Sequence, residues 1–308
     1  MRSVLLLPSF VICFCAALLA TFGCGGAART GSPAPPQAGS PAPPAQQLQF
    51  GHVVLVVEEN HSYSEVIGNT AMPYLNSLAS NYGLATQYYA NAHPSIGNYF
   101  MLTTGQPITQ NDAYTGSVSA DNVVRELNAS GKTWKAYAES LPEAGYTGGD
   151  VYPYVRHHNP FVYLSDVVQQ PAQLTNVVPF STFNSDVAGA QLPNFSFIVP
   201  NILDDAHTGS LEEADTWLQT NISPILNSAV FQQDGLLIIT FDESETSDMS
   251  HGGGHVVTVL VISKSKKKFQ SGTVYQHQST LRTVLQMLGV SRYPGASGTA
   301  PVMTEFFQ

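Results

Sequence analysis

Hydrophobic positions in this chain fall into short unbroken runs that stop at acids and amides. The clearest is Val53 to Asn60, reading Val-Val-Leu-Val-Val-Glu-Glu-Asn. A run too short for a helix and apolar on both faces predicts a strand buried in a parallel sheet. Phe195 to Val199 and Leu236 to Phe241 repeat the pattern and end at Pro200-Asn201 and Asp242-Glu243. Trp134 to Tyr137 and Val256 to Ile262 read as further strands, and Tyr88 to Ala92 as a short extended piece.

Helix signals stand between these runs. Thr70 caps a helix through about Tyr82 with Gly83 as its stop, and a second helix begins at Ser95. A third follows Asp121 and ends at Ser130-Gly131. Ser210 with Glu213 forms a capping box opening a helix to about Asn227. Ser279 to Leu288 is closed by Gly289. Strands alternating with helices predict an α/β fold, a mainly parallel central sheet with helices on both faces. The stretch over 140–179, rich in Tyr, Gly and Pro and containing Arg156-His157-His158-Asn159-Pro160, reads as an excursion that walls a pocket.

The N-terminus has a different character. Arg2, the apolar run Val4 to Ala20 and the small residues near Gly23 and Cys24 have the layout of a secretory signal over 1–24. An exported protein is expected: periplasmic, secreted or lipid-anchored at the envelope. All three cysteines, Cys13, Cys15 and Cys24, fall inside the leader, so the mature domain holds no disulfide. Thr21-Phe22-Gly23-Cys24 resembles a lipoprotein cleavage box, except that Thr21 stands where an aliphatic residue is usual. Lipid attachment at Cys24 and simple cleavage are both open. Residues 25–49 repeat Gly-Ser-Pro-Ala-Pro-Pro, bury nothing and read as a tether. No later stretch approaches the ~20 apolar residues that span a bilayer, so membrane contact is expected only through the anchor. The domain proper is expected over 50–308.

Composition narrows the partners. A hydrophobic content of 43% supports a substantial core. A formal net charge of -10 argues against non-specific nucleic-acid binding, which needs a basic footprint. It does not exclude a phosphorylated substrate, because a bound metal supplies positive field locally. The basic run Lys264, Lys266, Lys267 and Lys268 reads as a solvated turn.

Three strand ends carry oxygen- or nitrogen-bearing residues. They are Glu59-Asn60; Asn201 through Asp204, Asp205 and His207; and Asp242-Glu243, with His251 and His255 added by a glycine loop. One acidic strand end is ordinary turn chemistry. Three in one sheet predict a shared ligand cluster, placed where open α/β sheets gather their chemistry. Ser95 is the candidate nucleophile. Its bland reading is an N-cap; its functional reading is a hydroxyl activated beside a cation. The helix it opens would offer N–H groups to a phosphate, Gly97 would let substrate approach the backbone, and the Asn98 amide would hold a phosphoryl oxygen. His251-Gly252-Gly253-Gly254 imitates the oxyanion-hole motif of lipases. Without a Gly-x-Ser-x-Gly elbow, and so late in the chain, it does not make an α/β-hydrolase. Ser95 also lacks the following Pro and Arg of a sulfatase.

Taken together, Glu59-Asn60, His93-Pro94-Ser95, Pro200-Asn201 with Asp205 and His207, Phe241-Asp242-Glu243, Gly254-His255-Val256 and Tyr275-Gln276-His277 with Leu281-Arg282-Thr283 resemble the phosphoesterase family. That family includes bacterial acid phosphatases, a secreted phosphatidylinositol-3-phosphatase and phospholipases C, within the alkaline-phosphatase superfamily. The resemblance runs from His52 to the C-terminus. It implies that Glu59, Asn60, Asp242 and Glu243, with Ser95, hold a metal. It implies Ser95 as nucleophile, Asp205 and His207 as a polar pair, and His255 as a loop histidine near the chemistry. His158 and His277 match positions beside the substrate pocket.

The expected activity is that of a metal-dependent, exported phosphomonoesterase. Ser95 attacks phosphorus in line, a phosphoseryl intermediate is cleaved by water, and His207 or His255 protonates the leaving oxygen. One divalent ion is expected. The oxygen ligands suit Ca²⁺, Mg²⁺ or Mn²⁺, and a histidine in the shell admits Zn²⁺. The substrate is a phosphorylated small molecule or a lipid headgroup. The family's phospholipases carry extra C-terminal β domains, so the chain's end at Gln308 favours a monoesterase, with a phospholipase C-like diesterase as the alternative. An inactive phospho-ligand-binding protein is the alternative from another class.

Overall fold

The computed structural model describes residues 48–262 and 268–307. The expected leader, the tether up to residue 47, and Lys264, Lys266 and Lys267 of the basic run lie outside the described residues. Ten strands are present among the described residues: β1 His52–Glu58, β2 Gly83–Ala85, β3 Tyr88–Tyr89, β4 Trp134–Ala138, β5 Val177–Pro179, β6 Phe195–Val199, β7 Gly235–Phe241, β8 Thr258–Ile262, β9 Phe269–Ser271 and β10 Tyr275–Gln276. Eight of them form one sheet in the order β5-β4-β6-β1-β7-β8-β2-β9, while β10 pairs with β3.

β1 lies at the centre, parallel to β6 on one side and β7 on the other. From Val53 to Glu58 every residue of β1 is buried. Successive side chains point to opposite faces, so both faces of the sheet are covered there. The covering helices are α1 Pro73–Asn81, α2 Ile96–Thr104, α3 Val123–Ala129, α4 Ser181–Ala188, α5 Leu211–Asn221 and α6 His277–Met287, with shorter turns between them. One packed group is α2, α3 and α6; another is α1 with α5. No helix among the described residues is long and apolar enough to cross a membrane.

The α/β expectation holds, with local corrections. β8 runs antiparallel to both β7 and β2, and it starts at Thr258 because Val256 and Val257 are still in the approach to it. α1 begins at Pro73 rather than after Thr70, since proline at the first position costs no intrahelical bond. The helix opened by the Ser210–Glu213 box ends at Asn221, and a separate turn, Ser223–Leu226, follows with Pro224 near its start. Proline cannot continue the ladder behind it. The extended piece after Tyr88 shortens to Tyr88–Tyr89, and α6 starts two residues early, at His277.

The N-terminus of α1 is capped from a distance. Met72, at the cap position, supplies no side-chain acceptor. Asp215 of α5 supplies it instead, accepting from the Tyr74 and Leu75 amides at 2.8 Å each. Asp215→Ala leaves two orphaned donors in a largely buried setting and is expected to cost about 1–3 kcal/mol of stability, read from urea unfolding. A loss below about 0.5 kcal/mol, the size of an ordinary surface substitution, would show that water takes over the cap.

Candidate active site

Parallel pairing sets the site. Glu58 pairs with Phe241 at the end of the β1–β7 ladder, and the Asp242 amide donates to the Glu58 carbonyl at 2.9 Å. The Glu59 amide donates to the Asp205 carbonyl at 2.8 Å, tying in the loop after β6. Glu59, Asp242 and Asp205 therefore emerge side by side from neighbouring strands. All three are buried, as is Glu243.

Ser95 stands at the N-cap position of α2, but with φ −47° and ψ −46° it already has helical backbone, and its side chain caps nothing. The hydroxyl instead donates to Glu59 Oε2 at 3.2 Å and also faces Asp242 and Glu243. Tyr99, one helical turn on, donates its hydroxyl to Glu59 Oε1. Asn60 adopts a left-handed backbone (φ 56°), its amide donates to Asp242 Oδ1 at 3.2 Å, and its side-chain oxygen is buried without a partner. Asp205 Oδ2 and Asp242 Oδ2 are likewise buried and unpartnered.

A second group of donors lies against Glu59. His158 sits with Nε2 3.5 Å from Glu59 Oε1 and Nδ1 3.6 Å from Asp205 Oδ2, too far for good hydrogen bonds. Tyr99 stacks on its ring at 5.2 Å. Donor atoms of Glu59, His158 and the exposed His207 lie within 4.8 Å of one another. The His207 amide donates to Asp205 Oδ1 at 2.8 Å.

Electrostatics explains why such a group needs a positive charge. Burial, followed by repulsion from Asp242 and Asp205, holds the Glu59 carboxyl well above its ordinary range. Burial pushes Asp205 up to about 8, Asp242 to about 7 and Glu243 to about 9. No lysine or arginine among the described residues pairs with any of them. Burial also drives His158 down to about 3, so its imidazole is neutral. Neutral imidazole, buried carboxylates, an amide oxygen and a hydroxyl, several of them unpartnered, make a donor set that fits a divalent cation. Glu59 belongs to both groups, so the donors extend beyond the single five-residue set expected from sequence.

Other expected residues have different surroundings. Asn98 already uses all four positions of its amide: Oδ1 accepts from the Asn91 and Ala92 amides, and Nδ2 donates to the Ala92 carbonyl and Glu243 Oε2. No donor is left for a phosphoryl oxygen. At the start of α2 the Ile96, Gly97 and Asn98 amides are already committed, to Asp112 and to the Pro94 and Ser95 carbonyls. Gly97 makes room for its own chain rather than for substrate: a Cβ there would press on the Ala92 Cβ at 3.2 Å. His277 is fully buried, and its Nε2–H can only donate to the Asp242 carbonyl while Nδ1 accepts from Tyr88. His255 donates to the Thr86 carbonyl and stacks between Tyr63 and Tyr89. None of its hydrogen bonds or ring contacts is with Glu59, Asp205, Asp242 or Glu243.

Two residues escaped the sequence reading. Tyr99 lies four residues after Ser95, so helical spacing puts both on one face. His93 contacts Glu243 at 3.2 Å and signals itself only by standing two residues before the serine. Glu58, next to Glu59 but on the opposite face, is buried with neither oxygen hydrogen-bonded, and burial raises its carboxyl well above the ordinary range.

Comparison with known proteins identifies the family and the fold. The family model described as "Phosphoesterase family" matches residues 69–291. A phosphatidylinositol-3-phosphatase of Mycobacterium tuberculosis is 34% identical over 260 residues, covering 84% of this chain and 83% of that protein. A probable acid phosphatase of Kluyveromyces lactis is 31% identical over 244 residues, covering 76% of this chain and 57% of that one. In fold, the chain resembles an alkaline phosphatase superfamily protein of Vibrio parahaemolyticus, with a TM-score of 0.60 at 13% identity over 85% of this chain and 72% of that one. A phosphonate monoester hydrolase of Silicibacter pomeroyi gives 0.57 at 12% identity over 83% and 76%. The chain belongs to the phosphoesterase family, and it is a phosphoester hydrolase built on the alkaline-phosphatase fold.

Proposed function

We propose that this hydrolase is a metal-dependent phosphomonoesterase acting through a phosphoseryl intermediate on Ser95. The observation that carries the reading is the Ser95 hydroxyl itself. It stands at a helix start, caps nothing, and points at Glu59 among buried carboxylates that no lysine or arginine among the described residues balances. Glu59, Asn60, Asp242 and Glu243 would hold a cation beside Ser95, and His158 and His207 extend the donor set through Glu59. When bound, a divalent cation supplies the positive charge that favours the serine alkoxide and withdraws charge from the phosphoryl oxygens.

The chain's own residues account for the proton movements. Ser95 Oγ forms its bond to phosphorus as its proton passes to Glu59 Oε2, and the bond from phosphorus to the leaving oxygen breaks. That oxygen takes a proton from His207, whose ring is exposed and reaches the donor group. Water then attacks the phosphoserine, gives a proton to His207 and releases phosphate, while Ser95 recovers its proton from Glu59. His158, buried with neither ring nitrogen hydrogen-bonded, would donate a ring N–H to a phosphoryl oxygen, while the unpartnered Asn60 Oδ1, an acceptor, would face the cation. Phosphoinositide headgroups and small phosphomonoesters are the substrate classes that the named relatives support.

Ser95→Ala is expected to lower hydrolysis of p-nitrophenyl phosphate by roughly 1,000-fold or more, with the fold intact by circular dichroism. Chelation should abolish turnover and one of Mg²⁺, Ca²⁺, Mn²⁺ or Zn²⁺ should restore it. An active alanine variant sinks the mechanism. Faster cleavage of bis-p-nitrophenyl phosphate or phosphatidylcholine than of the monoester would make the enzyme a diesterase.

The raised carboxyls also predict a pH response of the cation-free protein. Groups whose pKa is higher folded than unfolded bind more protons in the native state, so stability falls as pH rises. The window runs from the ordinary carboxylate value of about 4 to the about 9 of Glu243. Melting temperature in chelator should therefore decline across it, and the stabilisation given by the restoring cation should grow toward its upper end. A cation-free melting temperature that climbs through this window would contradict the buried cluster.

A further inference from the structure

Helix α2 starts at the reactive serine, and the residue that should cap it has no side chain able to do so. Ser95 already has helical backbone, so it counts as the first helical residue and Pro94 falls at the cap. A capping side chain normally accepts from the amide two or three residues further on, and proline carries no side-chain acceptor. The Gly97 amide donates to the Pro94 carbonyl at 3.3 Å and the Asn98 amide to the Ser95 carbonyl at 2.9 Å. The amide of the buried Ile96, two residues after Pro94, donates instead to Asp112 Oδ1 at 3.2 Å.

Asp112 comes from the segment that follows the helix. The chain leaves α2 at Gly105 in a left-handed turn (φ 65°) and returns to the helix start. A Cβ on Gly97 would meet the Thr109 carbonyl at 3.4 Å and Gln110 Cγ at 3.8 Å, so this segment lies against the first turn. The Tyr114 amide donates to the Asn111 carbonyl at 2.8 Å and the Ala113 amide to Asn111 Oδ1 at 3.1 Å, which braces Asp112 between them. Tyr114 packs edge-on against Phe100 of the same helix, with ring centroids 6.3 Å apart.

Serine is among the strongest capping residues. To cap, Ser95 would leave the helix, take up extended backbone and turn its hydroxyl onto the Gly97 or Asn98 amide, away from Glu59. With Asp112 on the Ile96 amide, the helix start is satisfied without the serine, whose hydroxyl stays on Glu59 Oε2 at 3.2 Å. We infer that Asp112 is a positioning residue, which caps α2 in place of Ser95 and so keeps the serine hydroxyl directed into the site. This role presupposes Ser95 as the nucleophile, as proposed above. It requires an acceptor oxygen rather than a charge, since asparagine and aspartate cap about equally well.

D112N keeps an acceptor and D112A removes it. D215A, which removes the distant cap of α1, is the control for lost stability alone. For each, kcat and KM on p-nitrophenyl phosphate are measured with the restoring cation, together with melting temperature and hydrogen exchange at the Ile96 amide. D112A should lower kcat about 5–30-fold, the population change that a cap's usual worth produces, with KM within about threefold of wild type. Exchange at Ile96 should quicken. D112N should keep kcat within about threefold of wild type, and so should D215A despite its lower melting temperature. D112L, without an acceptor, repeats the test if D112A does not fold. An acceptor-free variant with wild-type kcat, D112N as slow as D112A, or D215A slowed as much as D112A would each overturn the inference alone. An S95A protein that keeps its activity would overturn the nucleophile and this inference with it.

Discussion

Four carboxylates sharing one desolvated volume are the constraint on which the rest of this site depends. Glu59, Asp205, Asp242 and Glu243 are brought there by strand pairing, because β6, β1 and β7 are adjacent, parallel and end at the same level. At ~4 Å and an effective dielectric of about 20, two ionised groups repel by about 4 kcal/mol, so all four cannot ionise unaided. The fold mitigates this with donors from the Tyr99 hydroxyl, the Ser95 hydroxyl and the Asn60 and His207 amides. Among the described residues it supplies no lysine or arginine. What remains is answered by bound protons or by a cation, and the two compete for the same oxygens.

That competition links the electrostatics to the chemistry. A hydroxyl beside neutral carboxylic acids is an ordinary alcohol; beside an ionised cluster with a cation it becomes a competent nucleophile. The unpartnered oxygens of Asn60, Asp205 and Asp242 fit the second state better than the first, since a buried polar atom without a partner costs about 1–3 kcal/mol. Two of the three belong to charged groups that a positive ion would satisfy together.

The framework was legible in the sequence for a specific reason. Strands buried on both faces cannot alternate, so β1, β6 and β7 read as continuous apolar runs, and the acids that end them stand out. Glu59, Asp242 and Asp205 followed directly. The state of Ser95 did not, because capping and catalysis predict the same residue at the same place, and only its helical dihedral angles and the approach of Glu59 distinguish them. Asn98 was misread for a related reason. An amide near a nucleophile looks like a substrate contact until the Asn91–Ala92 turn, which consumes it, is seen in three dimensions. The Asp215 cap on α1 joins residues about 140 positions apart and leaves no local trace.

Histidines show most clearly what sequence leaves open. Their side chains are chemically identical, and their roles are set by what the second ring nitrogen meets. His277 spends both nitrogens on the Asp242 carbonyl and Tyr88, which makes it a brace for the Asp242 backbone. His255 has its Nε2 on the Thr86 carbonyl and its ring faces on two tyrosines, so it stabilises the glycine loop. His158 alone is fully buried with neither nitrogen hydrogen-bonded, between two carboxylates and beneath a tyrosine ring. Burial keeps it neutral, so it cannot answer the charge of Glu59 and Asp205 as a cation. It can offer a lone pair to a metal or a single N–H to a phosphoryl oxygen. Both uses bring in a charged guest from outside, where among the described residues no lysine or arginine gives the carboxylates on either side of the ring a counter-charge.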